Sequence, residues 1–172
     1  MKRMSKIDIS GWGSFPIGSL FVVEKGTRLT KADMRSGDIN FIGASAINNG
    51  VTASISNDQH LHPANTITIT YNGSVGEAFY QDALFWASDD VNVLYPKFSL
   101  NKYIAMYIIP VLKKTGQQYA FIDKWKKEDM EKDCIKLPID TTGNPDYPYM
   151  ESHMRDIETE CINSLSKLKS LL

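Results

Sequence analysis

The sequence predicts an α+β protein: a strand-rich domain with a few helices, followed by one long C-terminal helix. Three observations carry this. Thr66–Tyr71 alternates Thr with Ile, the period of a half-buried strand. Turn signals recur through the first half, with Asn48-Asn49-Gly50 and Asn72-Gly73 the strongest. Beyond Pro148, the residues Met150, Met154, Ile157, Cys161, Leu165, Leu168 and Leu172 follow one another at steps of 4, 3, 4, 4, 3 and 4, which is helical spacing.

Residues 12–20 are punctuated by Gly and Pro and read as an irregular lead-in. Strands are expected at 21–23, 39–42 and 51–55. Residues 66–71 and 75–81 form a hairpin whose tip is Asn72-Gly73-Ser74-Val75-Gly76, because Asn-Gly adopts positive φ at low cost. Further strands are expected at 84–87 and 91–95. After Pro96 the period changes. Leu100, Ile104, Tyr107, Ile108, Val111 and Leu112 mark a helix whose last turn Pro110 would kink. Residues 113–118 read as a polar loop, 119–122 as a strand, 126–130 as one helical turn, and 134–138 as a strand stopped by proline. The turn-rich stretch 141–148 is a linker. Pro148 suits a first helical turn, acidic residues lie early in the final helix, and Lys167 and Lys169 lie late, as the helix dipole favours. A helix over 148–172 would be roughly 37 Å long at about 1.5 Å per residue. Its near-heptad stripe must pack either on its own domain or on another helix.

Composition narrows the class. A chain of 172 residues fits one domain plus an appendage. Hydrophobic content of 42% and charged content of 23% exclude a disordered chain. No apolar run approaches the length needed to span a membrane, and the basic N-terminus leads into no apolar signal core, so the expected location is the cytoplasm. Cys134 and Cys161 make no disulfide framework and read as small core residues. A net charge of −1 excludes an indiscriminate nucleic-acid binder. Segments 1–60, 61–112, 113–136 and 137–172 carry +2, −2, +2 and −3, so two mildly basic segments could meet on one face while the tail is acidic.

Catalytic signatures are missing. Asn144-Pro145-Asp146-Tyr147 lacks the second proline of a motif that holds a target base for methylation, and no glycine-rich cofactor turn precedes it. Phosphate-loop and dinucleotide fingerprints are absent. His60 and His62 read as loop residues and His153 lies on the last helix; none has companions at metal-ligand spacing. No metal, cofactor or catalytic residue is expected.

The ordered set of segments resembles the target recognition domain of type I restriction–modification specificity subunits. The matching features are Trp12 with 17–21, 26–29, 39–43 followed by 48–51, then 66–70, 73–76, 116–118, 135–138 and a long helix. The stretch 143–150, in which Pro145-Asp146-Tyr147 leads into the helix, looks closer to type IIB-like specificity proteins. The resemblance implies a DNA target recognition domain over 1–143 and a pairing helix with its lead-in over 144–172. Such a domain reads one half of a split target in double-stranded DNA. It positions a DNA adenine methyltransferase subunit and, in complete systems, a restriction or translocase subunit. A full subunit normally carries two such domains separated by two antiparallel helices, so this chain looks like a half-subunit or an excised half. A homodimer through the terminal helix, along Met154, Ile157, Cys161, Leu165 and Leu168, would restore the full arrangement.

Residue chemistry assigns roles within that reading. Phosphate contacts need cations, and Lys25, Arg28, Lys31, Lys113, Lys114, Lys124, Lys126 and Lys127 are candidates. Base reading needs amides or Arg with two-pronged geometry, which selects Asn48, Asn49, Asn72, Gln117, Gln118 and again Arg28. The Gly116-Gln117-Gln118 loop is favoured, since two lysines precede it. The rivals are a non-catalytic protein-interaction module that pairs through the helix, and a recognition domain cut from a fused nuclease–methyltransferase. Purified chain incubated with DNA and a labelled methyl donor should leave the DNA unlabelled; reproducible incorporation would overturn the non-catalytic reading.

Overall fold

The computed structural model describes residues 9–119 and 123–169. Element order is β1 (Gly13–Pro16), α1 (Ile17–Leu20), β2 (Phe21–Lys25), β3 (Ser36–Ile42), a 3-10 turn at Asn48–Gly50, β4 (Val51–Ile55), β5 (Leu61–His62), β6 (Thr66–Thr70), β7 (Ala78–Gln81), β8 (Phe85–Ala87), β9 (Val91–Pro96), α2 (Lys102–Gly116), α3 (Lys127–Lys132), β10 (Cys134–Leu137) and α4 (Tyr147–Lys169). The α+β class and the long C-terminal helix are as the sequence predicts. The lead-in at 12–20 is more regular than expected: it holds β1, which pairs with β10, and the short α1. The strand expected at 119–122 falls on 120–122, outside the described residues.

Two four-stranded sheets form the centre. The first has the order β2-β9-β6-β7, antiparallel throughout. The second has the order β4-β3-β8-β5, with β3 and β8 parallel. The first sheet is covered on both faces. Ile67, Ile69, Leu94 and Val23 point into a core shared with α1, α2, α3 and β10, through Ile17, Ile104, Ile108, Leu112, Met130 and Ile135. Val91 and Val93 on its other face pack on Ile42, Phe85 and Ala87 of the second sheet. The outer face of the second sheet closes over Phe41, Ile55 and Trp86 with Leu29 and Met34.

The alternation at 66–70 therefore does not mark a half-buried strand; Thr66, Thr68 and Thr70 are as buried as the isoleucines. Their register opposite Val93 and Val91 puts them between the sheets. Each hydroxyl finds a partner there: Thr66 donates to Pro63 O, Thr70 donates to Ser74 O, and Thr68 accepts from Gln81 Nε2 at 3.0 Å. Burial of these groups is tolerated because they are hydrogen-bonded.

The chain crosses between the sheets at Gly26. Its N–H donates to Val91 O in the first sheet, and the next N–H, of Thr27, donates to Ala87 O in the second. A β-carbon at Gly26 would lie 2.2 Å from Ser88 O, so only glycine allows this approach. The crossing leaves Lys25 on one side and Arg28 on the other.

The helix after Pro96 runs through Pro110 to Gly116, so Lys113 and Lys114 lie on its last turn and not in a loop. Asn101 caps it, its Oδ1 accepting from the N–H groups of Tyr103 and Ile104 at 3.0 Å each. Cys134 and Cys161 are exposed and not core residues. His62 is not a loop residue: it is buried in β5, stacked on Phe85 and bonded through Nδ1 to the Tyr95 hydroxyl, while its Nε2 has no partner among the described residues.

Burial lowers the pKa of His62 below its usual 6.5; Glu24 opposes the shift and His60 adds to it. The folded state thus disfavours the proton. Its contribution is fully present above about pH 6.5 and is lost as pH falls below that value toward the folded pKa. The depressed carboxyls Asp140, Glu151 and Glu158 act below their usual 3.8 and 4.5, outside this window. Urea midpoints should fall between pH 7.5 and 5 in the wild type and fall less in His62→Gln. Parallel curves would remove His62 as the cause.

Candidate nucleic-acid interface

The structure gathers four of the candidate lysines into one cleft. Lys25 at the end of β2 meets Lys124, Lys126 and Lys127 across Tyr71, with Asn92 at the floor and Glu128 on the rim, around a cavity of about 360 Å³. Lys25 Nζ lies 5.2 Å from the Tyr71 ring centroid. A hydrogen bond with Tyr71, aided by Asp89 and Asp90, raises the Lys25 pKa against the opposing effect of burial. The Tyr71 hydroxyl donates to Asp89 O at 2.6 Å, which fixes the ring. These lysines lie almost 100 residues apart in sequence, and the mildly basic segments do meet here.

Arg28 and Lys31 line a separate shallow groove with Phe41, Ala44, Thr52 and Asp89. Arg28 forms a 3.6 Å ion pair with Asp89 and stays largely exposed. The hairpin tip borders this groove, since a β-carbon at Gly73 would lie 3.1 Å from Ala44 Cβ. Asn72 donates its amide to Asp90 Oδ1 at 2.7 Å. The chain reverses through the longer loop 71–77, with positive φ at Gly73 and Gly76 and not at Asn72.

The paired asparagines of the 3-10 turn have structural partners. Asn48 and Asn49 both hold positive φ, at 52° and 53°. Asn48 Nδ2 donates to Val51 O, and Asn49 Nδ2 to Tyr80 O, each at 3.1 Å. Gln81 Nε2 donates back to Asn49 O at 3.2 Å, tying the turn to β7. Both residues remain exposed.

The end of α2 is divided. Lys113 pairs with Glu77 at 2.6 Å. Lys114 and Gln118 line a third groove with Ile9, Trp12, Pro110 and Cys134, away from the lysine cleft. Gln117 is exposed at the helix C-cap, and Gln118 Nε2 donates to Asp133 Oδ2 at 3.4 Å. Tyr71, Asn92 and Asp133 were not among the sequence candidates. Tyr71 had the signal of ending a strand beside the tip; the other two carry none.

The helix stripe splits in two. Met150 is buried, Met154 packs on the main core, and Ile157 is half-buried. Around them, Asn101 Nδ2 donates to Glu151 at 2.8 Å, the Tyr103 hydroxyl donates to Glu158 at 2.7 Å, and Arg155 lies 4.0 Å from the Tyr103 ring centroid. Tyr147 stacks on Phe98 at 4.1 Å. Beyond this point Cys161 is exposed, as are Ile162, Leu165 and Leu168 at 56%, 63% and 60%. Among the described residues no cluster of His, Cys, Asp or Glu could hold a metal, and no helix is long and apolar enough to cross a membrane.

The two packed sheets, the helical cover and the protruding helix define a known class. The family model described as "Type I restriction modification DNA specificity domain" matches residues 9–167, and the chain belongs to that family. Over 152 residues it is 36% identical to the type II restriction enzyme specificity subunit S.BcgI of Heyndrickxia coagulans, covering 88% of this chain and 45% of that protein. The chain therefore spans less than half the length of that relative. Among solved structures it is similar to the HsdS subunit of Thermoanaerobacter tengcongensis, with TM-score 0.64, 15% identity, and coverage of 98% of this chain and 42% of that one. The type I S subunit of M. genitalium gives TM-score 0.59 at 14% identity, covering 94% and 44%. At such identity these structures share the fold.

One contact ties the hairpin tip to α2. A β-carbon at Gly116 would lie 2.8 Å from Gly76 Cα and 2.9 Å from the Trp125 ring. Gly116→Ala should lower stability by about 1–3 kcal/mol through overpacking, read as a lower urea midpoint. An unchanged midpoint would show that the tip yields freely.

Proposed function

We propose that this chain is a non-catalytic, sequence-specific DNA-recognition component of a restriction–modification system, reading one half of a double-stranded target. The observation that carries this is the family match over 9–167, supported by the likeness to a specificity subunit. The lysine cleft supplies phosphate contacts. Arg28, the exposed Asn48 and Asn49, and Asn72 supply groups of the type that read base edges. Lys31, Lys113, Lys114, Gln117 and Gln118 flank these loops or the end of α2 and complete the candidate set.

Coverage of less than half of the relative fits one recognition domain with one helix. We infer that the exposed end of α4 completes its packing against a second helix, and a second copy of this chain is the simplest partner. Self-pairing would be two-fold and self-complementary. An adenine methyltransferase subunit, and a restriction or translocase subunit, are the further partners of such an assembly, which would work in the cytoplasm.

Selection from randomised duplexes should enrich one short half-site; enrichment of none would sink the reading. Sedimentation should show a dimer that Leu165→Asp dissociates by placing a charge in the apolar contact, with the domain still folded. A wild-type monomer at high concentration would leave the helix end to another subunit.

A further inference from the structure

Three of the four cleft lysines sit just before or at the start of α3, and the placement of that stretch rests on one carboxylate. Asp133 Oδ2 accepts from Trp125 Nε1 at 2.7 Å, from the Tyr119 hydroxyl at 2.8 Å and from Gln118 Nε2 at 3.4 Å. The Tyr119 ring stacks on Trp125 with centroids 5.6 Å apart. Burial, and then the bond to Asp133, push the Tyr119 hydroxyl up to about 12, so it remains a donor at any working pH. The backbone of Asp133 is fixed as well: its N–H donates to Asp129 O at 2.9 Å and its carbonyl accepts from Ile17 N at 2.8 Å. One side chain thus ties Gln118 and Tyr119, just after α2, to Trp125, just before α3.

The segment it holds is under local strain. Lys124 has φ of 46°, in the left-handed region that side-chain-bearing residues other than Asn and Asp seldom adopt. Such a conformation is unfavourable for a side-chain-bearing residue and persists where the surroundings enforce it. Here the reversal sends Trp125 into the core, fully buried, while Lys124, Lys126 and Lys127 line the cleft. Lys127 pairs with Glu131 at 3.7 Å. Lys25, Lys124 and Lys126 form no ion pair among the described residues. Four lysines around one cavity repel one another, and Glu128 is the carboxylate on its rim. At the floor Asn92 is 1% exposed, and the partner its amide has among the described residues is the Met130 sulfur at 4.0 Å, a weak acceptor. Gathered positive charge and a buried amide with only a weak acceptor are features that an anion in the cleft would engage.

We propose that this cleft is a preformed seat for one backbone phosphodiester of the bound duplex, and that Asp133 is the positioning residue that sets its lysines before DNA arrives. The proposal rests on the DNA-recognition reading above. Lysine ammoniums meet the phosphate oxygens as point charges, and Asn92 is among the residues that line the same space. Such contacts fix register and carry no sequence information. Preorganisation of Lys124 and Lys126 removes the cost of fixing these two residues at the moment of binding.

The test is the salt dependence of duplex binding by the full chain. The substitution pair Lys124→Ala with Lys126→Ala, both on a cleft rim, should lower the slope of log K against log salt by about 1 unit, as loss of one phosphate contact requires. Asp133→Asn should lower it by the same amount, weaken all sequences by a common factor, and add nothing when combined with the two lysine substitutions. Partial unfolding alone would weaken binding at every salt concentration and leave the slope unchanged. An unchanged slope in folded Asp133→Asn, or an additive fall in the combination, overturns the positioning role. An unchanged slope in the lysine pair, which should fold regardless, overturns the seat. Wild-type chain that binds no duplex overturns both this proposal and the recognition reading. Salt-sensitive binding without sequence preference, with the slopes shifting as described, sinks sequence reading and supports the seat.

Discussion

The first sheet must be covered on both faces, and the rest of the structure follows from that requirement. Its central strands β9 and β6 are buried on either side, by helices on one face and by the second sheet on the other. A sheet so placed needs two kinds of neighbour. The helices supply large aliphatic residues on the Ile67 and Ile69 face. The second sheet meets the Val91 and Val93 face, where three threonines and Gln81 must also be satisfied. The 3-10 turn at 48–50 is tied to Gln81 for this reason, which accounts for asparagines at two positive-φ positions. Loops that project from this framework are consequently well fixed at their bases. That is the condition under which exposed side chains can be presented to another surface in a defined geometry.

The positions of most strands, the hairpin, the change of period after Pro96 and the terminal helix are legible in the sequence, because each leaves a local mark; the order of the strands in the two sheets is not. Turn dipeptides and alternation report backbone geometry directly. Burial does not leave such a mark when polar residues are satisfied by partners far along the chain. Thr68 looked solvent-facing because its partner Gln81 is unknown to the local pattern. Lys113 to Gly116 looked like loop because two lysines and a glycine weaken a helical stripe. The helix continues there because Gly116 fits against Gly76 and Trp125, a contact that only the fold creates. His62 and the two cysteines were misplaced for the same reason: a short motif shows residue type and not environment.

The candidate interface was legible as residue types and illegible as groupings. Lys25 and Lys124 are independent entities in sequence, and nothing local says that they share a cleft while Lys114 lines another. Asp133 gave no signal, since one acidic residue in a mixed-charge helix end reads as surface. The amides divide by use. Those of Asn48, Asn49 and Asn72 already hold the loops in shape, so any contact they make with a duplex must use the remaining lone pairs and protons. This couples loop shape to contact chemistry and makes truncation of any of them a change in both.

The joint between domain and helix sets the direction in which α4 leaves the domain. Residues 138–146 are not a free linker. Asp140 accepts from Thr142 and Asn144, Ile139 bridges to Pro145, and Asp146 caps α4 through the Tyr149 N–H. The Thr142 hydroxyl, followed by the backbone N–H groups of the turn, holds the Asp140 carboxyl below its usual range. The first turns of α4 are then clamped to α2 by Asn101, Tyr103 and Phe98. A helix clamped at its base transmits direction along its length, because an α-helix bends little over a few turns without proline or glycine. Residues 149–169 contain neither. The exposed stretch bearing Ile162, Leu165 and Leu168 therefore leaves the domain at an angle fixed by that clamp. Substitutions at Glu151 or Glu158 would loosen that clamp and free the direction of the helix without touching the cleft or the loops.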